Sequence, residues 1–240
     1  FQEARREQER RAQHERVEAA LERGFFELEL LHDGVAKEHF AEAARLSAGA
    51  SVEATIGRVV ALLRMNRDED ALVELDRDGR DARALRRARA AVHEQLGNVA
   101  EASRLRAELG PPSGELDLLV EALWKMTDRS ARRVESAREA LSLMNRVTFL
   151  AEEPRALYHF ERSRAARLAV DHAADEESIE ALASHWPDDP IILAQRARAA
   201  VETHPAEALE LARQCIDLRP DIALSWFVLS FALLELDRPA

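Results

Sequence analysis

Residues 187–236 read PDDPIILAQRARAAVETHPAEALELARQCIDLRPDIALSWFVLSFALLEL, and the punctuation of this stretch decides the fold. After the turn Thr203, His204, Pro205, the small residues Ala208, Ala212 and Cys215 recur at i, i+4 and i+7, which places them on one face of a helix. A stripe of small side chains lets a second helix come close. Pro220 ends this helix, because proline has no N–H to donate and crowds the turn before it. The following helix carries Trp226, Leu229 and Leu233 at i, i+3 and i+7. One hairpin earlier Pro187 precedes Leu193 and Ala197, and the prolines at 187 and 220 stand 33 residues apart. Two successive helical hairpins of that period are predicted.

Upstream the same plan recurs. Residues 1–16 are charged on every face, with Glu7 and Arg11 in the favourable i, i+4 order, and read either as an extension of the first repeat helix or as a connector from a preceding module, a membrane-anchored one included. From Val17 the helical period begins with Leu21, Phe25, Leu28 and Leu31. The turn His32, Asp33, Gly34 leads to a second helix, Val35 to Leu46, in which Phe40 and Ala41, Ala43 and Ala44 face the first. Ser51 is positioned as the N-cap of the next helix, its hydroxyl able to accept a free N–H. Helices over 52–65, 82–96 and 116–126, each with a partner, continue the series. Thr127 and Asp128 are expected as a turn, 130–144 as a longer helix, and 145–153, with Val147 to Leu150, as an extended or irregular connection. Pro154 is expected to open a helix reaching Val170, followed by a loop over 171–175. The segment Gly110, Pro111, Pro112, Ser113, Gly114 is the clearest loop. The domain reading is a connector at 1–16, repeats over 17–110, a loop or hinge at 111–114, and repeats over 115–240 with the last one incomplete. The first residue being Phe1, the sequence reads as a fragment of a longer protein.

The pattern Trp226, Leu229, Ser230, Leu233, with Ala212 and Pro220 closing the preceding unit, resembles the tetratricopeptide repeat. Ser230 stands where that family has Gly, Leu233 where it has Tyr, and Ala212 where it has Phe. The period of about 34 residues gives roughly seven units in 240 residues. The resemblance implies an all-α, right-handed superhelical solenoid of antiparallel helix pairs, with Trp226 packed between neighbouring helices. It further implies that the first helices of successive pairs line a concave groove. By that register the groove receives Arg198, Glu202, Phe227 and Phe231, and farther up Arg87 and Glu94. The family's members that clamp a carboxyl-terminal peptide use a Lys and Asn cluster, which this chain lacks.

Composition bounds the partners. With 34 basic and 45 acidic residues the net charge is −11, which argues against nucleic acid and anionic membranes. All but Lys37 and Lys125 of the basic residues are arginine. No apolar run is long enough to span a bilayer, so no membrane insertion is expected in this segment. Cys215, alone, forms no internal disulfide and reads as a packed thiol in a cytoplasmic chain.

Catalytic and metal patterns are weak. Glu29 and His32 have the E-x-x-H spacing of carboxylate-bridged metal sites, but no second pair supports them. There is no nucleophile elbow, phosphate loop or paired-cysteine site. No cofactor, metal or enzymatic activity is expected. The function implied is a protein or peptide scaffold within a multidomain protein. The alternatives are a sensor or regulatory arm of a kinase or transcription regulator and, last, an enzyme on a helical scaffold. Residues 222–236 are apolar nearly all round, which calls for cover by a further repeat helix or for a homodimer through this C-terminal helix.

Overall fold

Short stretches rich in Ala, Leu and Arg, broken by polar turns of a few residues, hold their helical period, and helix propensity and burial point the same way along the chain. The computed structural model describes residues 2–80, 82–126, 133–147 and 156–237. Among these are thirteen α-helices: α1 (Gln2–Glu29), α2 (Asp33–Leu46), α3 (Val52–Arg64), α4 (Asp68–Asp78), α5 (Arg83–Gln95), α6 (Val99–Leu109), α7 (Glu115–Lys125), α8 (Arg133–Met144), α9 (Ala156–Ala169), α10 (His172–His185), α11 (Pro190–Ala200), α12 (Pro205–Leu218) and α13 (Ala223–Leu236). The protein is all-α, built of helices packed in sequential pairs. The expected turn at Thr127 and Asp128, the helix start at Ser130, the extended run at Thr148, Phe149 and Leu150, and the helix start at Pro154 lie outside the described residues.

The chain divides into two compact units, Phe1–Asp128 with Ser142–Thr148, and Arg129–Leu141 with Phe149–Ala240. In the first, α1 to α6 pack in series, α1 on α2 through α5 on α6, and the first helices of successive pairs also touch: α1 on α3, α3 on α5 and α5 on α7. In the second, the series runs α9 through α13, with α11 against α13. The loop at 110–114 lies within the first unit, and α5 and α7 pack together across it.

The first unit is centred on one ring. Phe40 of α2 is fully buried, tilted against Phe25 of α1 at 4.8 Å between centroids. It faces glycine on both sides: a Cβ at Gly24 of α1 or at Gly57 of α3 would lie 2.5 Å from Phe40 Cε1. The two glycines leave the space that the ring fills. Around it the approach is lined with fully buried Ala36, Ala43, Ala54 and Ala61.

Helix ends follow local chemistry. Ser51 Oγ accepts from the Ala54 N–H at 3.1 Å, the cap its sequence position calls for. Asp189 caps α11 by accepting from Ile191 and Ile192, with Pro190 in the first turn, where its missing N–H costs nothing. Residues 171–175 are not a loop: Asp171 Oδ1 accepts from the Ala174 N–H at 3.1 Å, and His172 already opens α10. An aspartate can end a turn or begin a helix, and here the carboxylate satisfies a first-turn donor.

Four of the turns joining first to second helices are built alike. Leu31, Asn66, Gly97 and Val170 all have φ between 56° and 77°. In each, the following N–H donates five residues back, from His32 to Glu27 O, Arg67 to Leu62 O, Asn98 to His93 O and Asp171 to Ala166 O, at 2.8–2.9 Å. Leu31 is therefore not part of the buried stripe of α1 but 73% exposed in the turn. Val170 is 65% exposed in the same conformation, one that a β-branched residue seldom adopts.

Gly57→Ala is expected to lower stability by about 1–2 kcal/mol in a urea titration, because overpacking against Phe40 outweighs the ~1 kcal/mol gained in helix propensity. Val170→Gly is expected to do the reverse, raising stability by roughly 1 kcal/mol as the left-handed turn loses its Cβ clash. An unchanged midpoint for Val170→Gly would mean that the turn is not held in that conformation.

Candidate partner-binding surface

An arginine on a first helix is long enough to reach the first helix of the next pair, and the sequence places acids there one repeat later. Arg83 and Asp117 are 34 residues apart, as are Arg87 and Glu121. Arg87, expected in the groove, is only 2% exposed. Its Nε lies 2.5 Å from Asp117 Oδ1, its Nη1 3.0 Å from Glu121 Oε2, and its Nη2 donates to Gly110 O at 3.0 Å. Arg83 adds a bond to Asp117 Oδ2 at 2.8 Å and donates to the carbonyls of Leu109 and Pro111. Burial pushes the Asp117 carboxyl up, but the bonds from Arg87, the Ser113 N–H and Arg83 outweigh it and hold the group below the usual range. Arg87 is thus a clamp between α5 and α7, with no side-chain surface to offer a partner.

Glu94 is exposed at the end of the same helix but already engaged. Arg106 Nη2 reaches its Oε2 at 2.9 Å and Trp124 Nε1 donates to the same oxygen at 3.1 Å. Arg106 also bonds Glu121 at 3.0 Å, so Arg87, Glu121, Arg106, Glu94 and Trp124 form one chain of contacts through α5, α6 and α7. The structure brings Arg87 and Glu94 into one network, through acids that the sequence reading did not single out.

In the second unit Arg198 behaves like Arg87. Its Nη1 and Nη2 hold the two oxygens of Asp175 at 2.9 and 3.0 Å, and its Nε donates to Gln195 Oε1 at 2.8 Å. Asp175 is buried and also accepts from Ser163 Oγ at 2.5 Å, so α9, α10 and α11 meet at one carboxylate. Glu202 is exposed in the turn after α11.

α13 carries what remains. It buries Ser225, Val228 and Ala232, with Ile222 at its N-cap. The Ser225 hydroxyl donates to Cys215 Sγ at 2.7 Å, and that thiol donates to Pro190 O at 3.0 Å, which ties α13, α12 and α11 together. Burial raises the thiol's pKa, so Cys215 is a packed group. The buried face is not the one the repeat register implied: Trp226 is 48% exposed, its Nε1 donating to Pro220 O at 2.8 Å, and Leu233 is exposed beside it. The reason is steric. The small Ser225 and Ala232 allow the approach to α12 that Trp226 would block. On the neighbouring side Phe227, 66% exposed, stacks on Phe231 with centroids 6.3 Å apart and planes 17° from parallel.

His32 Nδ1 lies 2.8 Å from Glu27 Oε2. Among the described residues no group of three or more His, Cys, Asp and Glu could hold a metal ion, and no helix is long and apolar enough to cross a membrane.

No family model matches this chain, and no curated protein matches it. Among solved structures the chain is similar to one in the crystal structure of the APC/C hetero-tetramer Cut9–Hcn1, at 16% identity and a TM-score of 0.48, over 84% of this chain and 39% of that one. The chain thus spans about two fifths of the length of that protein.

One half-buried base on the second unit gives a pH signature. The Nδ1 of His159, on α9, has no hydrogen-bond partner among the described residues. Burial first, then the charges of Arg162 and His185 against the opposing Glu177, push its pKa down to about 4. Unfolded, it would titrate near 6.5. Between these values the unfolded chain binds the extra proton, so stability falls as pH drops from about 6.5 to about 4, by up to about 3 kcal/mol from this group. His159→Gln is expected to flatten that part of the pH dependence, read as urea midpoints of both proteins at pH 7 and 4.5. Parallel pH dependences would overturn the assignment.

Proposed function

We propose that the chain is a protein-interaction scaffold that takes an extended or helical segment of a protein partner along its first helices, as part of a right-handed solenoid in a larger protein. The stacked pair of exposed Phe227 and part-buried Phe231 carries the proposal. A pair of rings held parallel on a rigid helix offers large contact area with little conformational freedom left to lose, which is how interaction hot spots are built. Exposed Glu202, in the turn after α11, adds negative rim charge, suited to a partner segment with apolar anchors and flanking basic residues. Arg198 serves this reading from inside, fixing α11, the first helix before α13, through Asp175. A cytoplasmic setting belongs to the proposal, supported by a single buried cysteine.

A regulatory arm of a signalling protein is the second reading. It is favoured by the first turns of α1, where Arg5–Glu9 and Glu7–Arg11 pair along an exposed helix as they would in a connector.

The test is selection of a random peptide library on the immobilised chain, repeated with the Phe227→Ala/Phe231→Ala double variant. Enriched peptides are expected to carry apolar anchors and to bind the variant at least about tenfold more weakly, a loss of roughly 1.4 kcal/mol. Peptides that bind both proteins equally would move the site elsewhere.

A further inference from the structure

We draw no further inference here: the strongest candidate, the exposed apolar surface of α13 at Trp226, Leu233 and Leu234, carries none because nothing in the structure shows what covers it.

Discussion

Neighbouring helices in this protein come together on side chains with almost no bulk, and that close approach is the constraint the rest depends on. Ala43, Ala61, Ala71, Ala90, Ala122, Ala165, Ala197, Ala208 and Ala212 are all fully buried. A pair of short helices cannot hide its apolar face alone, so each must share it with the next pair, and small residues let it do so on two sides at once. Where a large side chain is admitted, the opposite surface is cut back to receive it. Phe40 has its space because α1 and α3 have glycine where other residues would collide with the ring. The cost is about 1 kcal/mol of helix propensity at each glycine, offset by the burial of a whole aromatic ring.

Close approach by itself does not fix register, because alanine stripes can slide. The buried ion pairs supply that discrimination. Arg87 with Asp117 and Glu121, and Arg198 with Asp175, lie where the desolvation cost of two charges roughly cancels their attraction. Such groups add little net stability when correctly placed. A shift of one helix by one residue would leave a buried guanidinium without its carboxylate, at several kcal/mol. Guanidinium suits the task better than ammonium, since its planar fork holds both oxygens of Asp175 at once.

The helix pairs were legible because burial and propensity agree along most of the chain. The Ser51 cap and the stripe Ala208, Ala212, Cys215 each mean in the structure what they mean in the sequence. Legibility fails where one residue type can serve two environments. Leu31 and Val170 fit an apolar helical period, but both stand in left-handed turns that composition would assign to Gly or Asn. The period of these turns is visible only in their backbone. Arg87 and Arg198 look like solvated charges until the acid one repeat later, or on the packed helix, is paired with them. The 34-residue separations of Arg83 from Asp117 and Arg87 from Glu121 were the available signal. Trp226 misled for another reason. The resemblance assigned the largest side chain to the interface, whereas the approach to α12 selects the smallest, Ser225 and Ala232.

The same physics separates the two surfaces of α13. Once Ser225, Val228 and Ala232 are turned inward, the 3.6-residue period forces Trp226, Ser230 and Leu233 to one flank and Phe227 and Phe231 to the other. Elsewhere arginine and glutamate pair locally, as in Arg104 with Glu101 and Glu108, and such exposed pairs are well hydrated and contribute little to recognition. A chain whose charges are so largely engaged with one another has its strongest unsatisfied tendency in apolar area. Among the described residues that area is concentrated on α13. On the scaffold reading proposed above, affinity for a partner depends less on the net charge of −11 than on the apolar flanks of α13.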